Sequence, residues 1–152
     1  MFHIVLIEPE IPPNTGNIGR LCLAAGATLH LVGPLGFSLD DRSLKRAGLD
    51  YWAEVDVREW DSFESLQSEA AAESRYFFLT TKTERAYWST EFRDGDYLVF
   101  GSETRGLPES LLAANESTCL TIPQKGSFVR SLNLATAVGI VLYEGMRQVE
   151  NP

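Results

Sequence analysis

The sequence predicts an α/β fold in which a mainly parallel sheet is flanked by helices. Short apolar segments rich in Val, Ile and Leu alternate along the chain with segments of helical periodicity. This order is typical of parallel sheets with helical crossovers. The first apolar segment, residues 2–7, is nearly continuous in large aliphatic residues, as expected for a strand that is buried on both faces.

Residues that break regular structure set the ends of the predicted elements. Gly26 and Gly48 end two helices, and Gly33-Pro34 stops a strand. The chain contains no repeat and no linker, so residues 1–152 are predicted to form one domain. The strands are predicted at residues 2–7, 28–32, 76–80, 97–100 and 119–122. The helices are predicted at residues 15–25, 41–47, 62–74, 108–114 and 132–147.

The composition indicates a soluble protein with an ordinary core, since 44% of the residues are hydrophobic and 22% are charged. Cys22 and Cys119 lie in apolar stretches without metal-ligand spacing, which predicts two reduced thiols. His3 and His30 fall in predicted strands and are interpreted as core residues. No stretch has the roughly 18 apolar residues of a membrane span, and the first apolar run is too short for a signal peptide. A cytoplasmic protein without a membrane partner is therefore predicted.

The acidic balance argues against a simple nucleic-acid-binding module. The net charge is −8, whereas such a module presents a basic face. RNA binding is compatible with this charge only if basic side chains cluster around one groove. The candidates are Arg20, Arg42, Lys45, Arg46, Lys82, Arg85, Arg105, Lys125 and Arg130.

The last predicted helix carries apolar residues over much more than one face. A helix of this kind is buried on more than one side, and in a small domain the second side is expected to meet another subunit. The sequence therefore predicts a homodimer. The residues concerned are Leu132, Leu134, Ala135, Ala137, Val138, Ile140, Val141, Leu142 and Met146.

Residues 14–20, Asn-Thr-Gly-Asn-Ile-Gly-Arg, form the first of three polar motifs. In one interpretation, Asn14 or Thr15 caps the following helix and the glycines ease the turn. In the other, free N–H groups at the amino end of the helix bind a phosphate. Arg20 lies on the same helix face as Gly16, which has no side chain to block an incoming group.

The second motif, residues 99–108, joins a buried strand to a helix through a Gly-bracketed turn. Gly101 and Gly106 have the spacing of a phosphate loop. Leu107-Pro108, however, occupies the positions where Lys and Ser/Thr are required, which excludes an ATPase of that type. Glu103 either caps the turn or belongs to a ligand site. No G-x-G-x-x-G follows the first strand, which argues against a dinucleotide-binding fold.

The third motif consists of Ile122-Pro123-Gln124 and residues 130–135, just before the last helix. Ser131 is either the N-cap of that helix or part of a site. Tyr143, within the helix, is a core, interface or substrate residue. The chain has no metal-type cluster, no G-x-S-x-G elbow and no Cys–His pair, so hydrolase chemistry and a metal site are not indicated.

Together the three motifs closely resemble those of the SPOUT class of RNA methyltransferases. The match consists of N-T-G-N-I-G-R at 14–20, F-G-S-E-T-R-G-L-P at 100–108, and I-P followed by R-S-L-N-L-A-T-A-V. Within that class, T-T-K-T at 80–83 and the lack of an extra RNA-binding domain are similar to enzymes that methylate the wobble nucleotide of tRNA. Their target is the 2′-oxygen of cytidine or carboxymethylaminomethyluridine at position 34. The segment 123–129 departs from the pattern usual in relatives.

This resemblance implies a carboxyl end that is tucked through a loop as a trefoil knot, a rare feature among folds. It implies S-adenosylmethionine as the cofactor and S-adenosylhomocysteine as the product, without a metal. Gly101, which has no Cβ, is expected where the backbone meets the cofactor closely. By position, Leu79, Gly101, Ile122 and Ser131 would line the cofactor pocket, with Glu103 in the loop that shapes it. Asn14, Arg20 and Tyr143 would face the tRNA, with Arg20 as the catalytic residue.

Two other functions are compatible with the motifs. One is 2′-O-methylation of another tRNA position or of rRNA. The other is a non-catalytic RNA-binding dimer that retains the fold. The intact Arg20 and the intact loop at residues 101–108 favour catalysis over the second of these.

Overall fold

The computed structural model describes residues 1–47 and 50–152 and confirms the α/β fold. The strands are β1 (His3–Ile7), β2 (Thr28–Val32), β3 (Val57–Trp60), β4 (Tyr76–Leu79), β5 (Tyr97–Phe100) and β6 (Cys119–Leu120). The helices are α1 (Pro12–Ala25), α2 (Arg42–Ala47), α3 (Phe63–Glu69), α4 (Glu109–Ala114) and α5 (Leu134–Glu150). Over the described residues the strands form one parallel sheet in the order β3-β2-β1-β5-β4-β6. The trefoil knot stays a prediction.

The sheet is buried on both faces, which explains the aliphatic character of its central strands. All residues of β2 and β5 are buried. Alternate residues of a strand point to opposite faces, so Leu98 and Phe100 pack towards α1 and α5, while Val99 packs towards α3 and α4. The parallel arrangement also brings the carboxyl ends of β1, β5, β4 and β6 to one edge, where the polar motifs begin.

Strand β3 was not predicted from the sequence. It reads Val-Arg-Glu-Trp, and none of its residues is buried, because it forms an edge of the sheet beside β2. An edge strand with charged side chains lacks the apolar signal of a central strand. The predictions at 28–32 and 97–100 are confirmed, and the other predicted strands differ from the structure by one or two residues at an end.

Helix α1 begins at Pro12, three residues before the predicted start. Proline fits in the first turn because the N–H groups of that turn have no partner within the helix. The interpretation of Asn14 or Thr15 as the cap is therefore wrong, since both lie inside the helix and are buried. At the other end Gly26 has a φ of 68° and ends the helix as predicted.

Gly16 and Gly19 allow α1 to approach its neighbours. A Cβ on Gly16 would lie 2.1 Å from the carbonyl oxygen of Leu44 in α2, and one on Gly19 would lie 2.5 Å from the ring of Trp52. The interpretation that Gly16 leaves room for an incoming group is therefore wrong. The absent side chain is needed for helix packing.

The short helices lie where they were predicted, but some of them begin or end at other residues. Helix α2 agrees with the prediction to within one residue, and its predicted end, Gly48, lies outside the described residues. Helix α3 stops at Glu69, well before the predicted end at residue 74, and Ser62 forms its N-cap. Helix α4 begins one residue after Pro108, which occupies the N-cap position.

Helix α5 packs against the sheet through the fully buried Val138, Val141 and Leu142. Its N-cap is Asn133, whose side-chain oxygen accepts a hydrogen bond from the Thr136 N–H at 3.2 Å. The interpretation of Ser131 as the N-cap is therefore wrong. Within the part of the chain that the structure describes, no helix has the length and apolar character needed to cross a membrane.

His30 is a core residue, as predicted, and forms a side-chain pair with His3, which is half-buried. His30 is 2% exposed, its Nε2 lies 2.9 Å from His3 Nδ1, and its Nδ1 accepts from Trp60 Nε1 at 3.0 Å. Burial, assisted by the neighbouring His3, lowers the pKa of His30 to about 4. The ring is therefore neutral at neutral pH. Because the indole N–H only donates, neutral His30 carries its proton on Nε2 and donates to His3.

The two cysteines are free and buried, as predicted. Burial raises the pKa of the Cys22 thiol to about 12 and also raises the pKa of Cys119. A nucleophilic cysteine requires a thiolate, so neither side chain is suited to that chemistry.

Candidate active site

A cavity of about 710 Å³ opens at the carboxyl ends of β4 and β5. This edge is the usual position of small ligands in open α/β sheets, and the volume is in the range of ligand pockets. Four segments enclose it: the start of α1, the residues after β4, the loop after β5, and the chain between β6 and α5. The three motifs therefore meet at one place, as the sequence predicts.

All five residues predicted to bind the cofactor lie in the wall of this cavity: Leu79, Gly101, Glu103, Ile122 and Ser131. Leu79 and Gly101 are buried at the ends of their strands, Glu103 and Ile122 are half-buried, and Ser131 is exposed. The wall thus combines apolar side chains with a hydroxyl group and the backbone groups at the ends of strands.

The loop after β5 folds back on itself. The carbonyl oxygen of Ser102 accepts from the Gly106 N–H at 2.9 Å, and Gly106 has a φ of 68°, which favours glycine. A Cβ on Gly101 would lie 2.1 Å from the carbonyl carbon of Gly106. Gly101 is therefore required by the loop itself, and its close approach to the cofactor stays a prediction.

The Glu103 carboxylate fastens this loop to the start of α1. Its Oε1 accepts from the Glu10 N–H at 2.9 Å, and its Oε2 accepts from the Ile11 N–H at 2.8 Å. Ile11 is the N-cap of α1 and has no capping side-chain hydrogen bond of its own. Glu103 therefore supplies the acceptor from a distant part of the chain, and its charge is favourable at this end of the helix dipole. The free N–H groups predicted to bind a phosphate there are absent, because Pro12 and Pro13 have none and the Asn14 N–H donates to the Ile11 carbonyl oxygen at 3.1 Å.

The Glu10 carboxylate connects the same two segments, but here the acceptor lies before α1 and the donors lie in the loop after β5. Glu10 Oε1 accepts from the hydroxyl and from the backbone N–H of Thr104, at 2.6 and 3.2 Å. These two hydrogen bonds lower the pKa of Glu10. The segment before α1 and the loop after β5 therefore form one hydrogen-bonded unit.

Asn14 connects all three motifs. Its Nδ2 donates to Glu103 Oε2 at 3.2 Å, and its Oδ1 accepts from Asn133 Nδ2 at 3.0 Å. Asn133 is also the N-cap of α5, so both ends of its amide are used. Asn14 lines the cavity but is only 8% exposed. This geometry makes Asn14 a positioning residue, and its contact with RNA stays a prediction.

Arg20 and Tyr143 do not line the cavity of their own chain. Arg20 is exposed on α1, about 9 Å along the helix from Asn14 and about a third of a turn away. Tyr143 is 46% exposed on α5, about 9 Å along the helix beyond Ala137 of the cavity wall. Among the residues that the structure describes, the Arg20 guanidinium has no hydrogen-bond or ion-pair partner.

Three of the nine basic candidates lie at the cavity: Lys82, Arg105 and Arg130. All three are exposed. Lys82 pairs with Glu109 at 3.3 Å, an exposed contact of the kind that contributes little stability. Because Glu103 lines the same wall, acidic side chains balance part of this positive charge, and the site has only a small local excess of basic groups in a chain whose net charge is −8.

Sequence reasoning missed Glu10, Thr104 and Asn133. For Asn133 a signal existed, because asparagine directly before an apolar helix is a preferred N-cap. Glu10 and Thr104 are 94 residues apart, and no local pattern pairs them. Residues 1–47 and 50–152 contain no group of His, Cys, Asp and Glu that could hold a metal ion.

The fold and the site define an α/β domain with a ligand-sized cavity where three loops meet at the carboxyl edge of a parallel sheet. Residues 1–143 match the model of the SpoU rRNA Methylase family. The chain belongs to this family, which confirms the resemblance to RNA methyltransferases that its motifs carry.

Known relatives resemble the chain over its whole length. The tRNA (cytidine(34)-2′-O)-methyltransferase of Escherichia coli K12 is 48% identical over 153 residues, which covers 100% of this chain and 96% of the relative. A solved structure that concerns the 2-OH methylation of C/U34 on tRNA has a TM-score of 0.95 and 49% identity, covering 100% of this chain and 98% of that chain. The AdoMet-bound rRNA methyltransferase of Sinorhizobium meliloti has a TM-score of 0.81 and 28% identity, covering 96% of this chain and 56% of that chain.

Proposed function

We propose that this protein transfers a methyl group from S-adenosylmethionine to the 2′-oxygen of the wobble nucleotide of tRNA, cytidine or carboxymethylaminomethyluridine at position 34. The observation that carries the proposal is the cavity at which all three motifs are hydrogen-bonded together. Support comes from the E. coli enzyme of that activity, which is 48% identical over the full chain. Residues 1–152 act as one methyltransferase domain, in the cytoplasm together with the tRNA.

The residues of the cavity fit S-adenosylmethionine. The apolar side chains of Leu79 and Ile122 suit the adenine ring, while the Ser131 hydroxyl and the backbone near Gly101 suit the polar parts of the cofactor. Glu103 holds the loop that shapes the pocket. The bound cofactor supplies the methyl group of its sulfonium. After transfer, the remainder of the cofactor leaves as the neutral thioether S-adenosylhomocysteine, which needs no metal. The AdoMet-bound relative from S. meliloti supports this assignment.

Arg20 is the proposed catalytic residue, and Asn14 and Tyr143 complete the proposed RNA contacts. A guanidinium stays protonated in proteins and grips phosphate through a planar fork. Arg20 therefore orients a phosphate of the RNA and polarises the 2′-hydroxyl. The hydroxyl proton passes to this phosphate and from there to water, so the guanidinium does not have to act as the base. Positioning of the reacting groups supplies most of the rate.

A homodimer would bring these groups together. Arg20 and Tyr143 lie outside the cavity of their own chain, so the proposed catalytic role of Arg20 is completed by a second protomer. A shallow groove between α1 and α5, lined by Leu21, Ala135 and Ile140, is the proposed contact face. Val141 and Leu142, in contrast, are fully buried in their own chain. A charge at either position would unfold the protomer and would not test the dimer.

Ile140→Glu is expected to convert a dimer at micromolar concentration into a folded monomer. The carboxylate would be placed unpaired in an apolar contact, which costs several kcal/mol. Val149→Glu, a change at a 38% exposed position at the far end of α5, is the matched control and should remain dimeric. Light scattering measures the mass of both variants. A well-folded monomeric wild type would contradict the proposed dimer.

The proposed function is tested by nucleoside mass spectrometry of tRNA from cells with and without this protein. We expect 2′-O-methylcytidine and the 2′-O-methylated form of the modified uridine to disappear from position 34. A change in rRNA alone, or at another tRNA position, would instead favour a methyltransferase with a different target. An unchanged set of nucleosides would favour a non-catalytic RNA-binding dimer.

A further inference from the structure

The chain between the two parts of the third motif, residues 122–124 and 130–135, carries a fully exposed aromatic side chain. In the sequence Gln-Lys-Gly-Ser-Phe-Val-Arg, residues 124–130, the side chain of Phe128 is fully exposed and that of Val129 is 60% exposed. Phe128 is the most exposed large apolar side chain in the described part of the chain.

Phe128 lies in a short segment whose two ends reach the cavity. Gln124 and Arg130, at the two ends of the segment, both line the cavity wall. Phe128 is two residues from Arg130, so their Cα atoms are at most about 8 Å apart. A nucleotide whose ribose reaches the cavity would therefore place its neighbouring base within reach of this ring.

The charge around Phe128 favours a polyanionic partner. Lys125 and Arg130 flank the ring in sequence, and no acidic residue occurs between Glu116 and Glu144. Arg105 and Lys82 lie in the cavity wall together with the acidic Glu103, and Lys82 is paired with Glu109, so the excess of positive charge is carried mainly by Arg105, Lys125 and Arg130. In a chain that carries 21 acidic residues, this is a surface to which RNA phosphates are attracted.

We propose that Phe128 is a stacking platform for a nucleobase next to the methylated nucleotide, while Lys125 and Arg130 contact the adjoining phosphates. Unpaired bases of RNA loops stack on aromatic side chains, and aromatic rings between cations are typical of single-stranded nucleic-acid sites. The proposal rests on the proposed function, because it takes the anticodon loop of tRNA as the substrate.

The test uses the wild-type protein, Phe128→Ala, Phe128→Trp and the control Val129→Ala, with an anticodon stem-loop as substrate. Loss of one stacked base is expected to raise the KM for the RNA roughly tenfold, with kcat and the affinity for S-adenosylmethionine unchanged. Phe128→Trp keeps a stacking surface and should stay within about twofold of wild type, as should Val129→Ala. The exposed position makes all three changes compatible with folding.

A fluorescent base gives a direct signature of stacking. With 2-aminopurine on the 3′ side of the wobble nucleotide, binding of wild type or Phe128→Trp should quench the fluorescence, and binding of Phe128→Ala should not. An unchanged KM for Phe128→Ala, a weaker affinity for S-adenosylmethionine, or an altered oligomeric state would each overturn the role of Phe128 and leave the methyltransferase function standing. Failure of the wild-type protein to methylate the stem-loop would overturn both.

Discussion

Arg20→Ala is expected to slow methyl transfer to tRNA by at least about 100-fold, while the affinity for S-adenosylmethionine stays within about twofold of wild type. Arg20 is exposed on α1 and is not part of the cavity wall, so its removal leaves the proposed cofactor site intact. A charged group that is aimed at the reacting atoms typically contributes a factor of about 100–1000 to the rate. Single-turnover methylation of an anticodon stem-loop, beside calorimetric titration of the cofactor, separates the two effects.

Two further variants make this test specific. Arg20→Lys keeps the charge but loses the planar fork that grips phosphate at two points, so it should rescue only a small part of the rate. Arg93→Ala removes another exposed arginine, whose partner is Glu91, and should methylate normally. Wild-type turnover by Arg20→Ala, or a loss of cofactor affinity in its place, would show that the assigned role is wrong.

Glu103→Gln is expected to weaken the binding of S-adenosylmethionine by up to about 150-fold. The carboxylate accepts hydrogen bonds from two backbone N–H groups and from Asn14. An amide offers one oxygen and turns an NH₂ group towards a donor, so at least one charge-assisted bond is lost. Such a bond contributes roughly 1.5–3 kcal/mol to the stability of the linked segments, and the upper end of this range sets the largest expected loss of affinity. Calorimetry measures the affinity, and thermal unfolding reports whether the core is intact.

The matched control for this change is Glu73→Gln, which alters an exposed carboxylate before β4, on the amino side of the sheet. It should leave both the affinity and the unfolding temperature unchanged. If Glu103→Gln binds the cofactor as tightly as wild type, the link between the loop after β5 and α1 does not maintain the pocket.

The sequence predicts the parts of this fold that depend on local patterns. The central strands at 28–32 and 97–100 have the apolar composition of a sheet that is covered on both sides, and they were predicted to the residue. The meeting of the three motifs also follows from sequence, because the carboxyl ends of parallel strands lie at one edge. The charged edge strand β3 lacks this composition and was missed.

What could not be predicted depends on contacts between distant segments. Glu103 was expected to cap a turn or shape a pocket, and only the structure reveals that it caps a helix that begins 91 positions earlier in the sequence, at Pro12. The sequence predicts that the missing side chains of Gly16 and Gly101 make room for a ligand, and the structure adds that both positions need glycine for packing of the chain against itself. Local sequence patterns do not predict which distant backbone atoms pack against the Cα of a glycine.

The central claim is that the methyl group is transferred to the 2′-hydroxyl of the wobble nucleotide. A set of anticodon stem-loops with single 2′-deoxy substitutions tests this claim most directly. Each RNA is incubated with the purified protein and S-adenosylmethionine labelled in its methyl group, and the label incorporated into RNA is counted. We predict that the unmodified RNA and the RNAs with 2′-deoxy neighbours accept the methyl group, and that the RNA with 2′-deoxycytidine at position 34 accepts none. Equal incorporation into that RNA would contradict the proposed function.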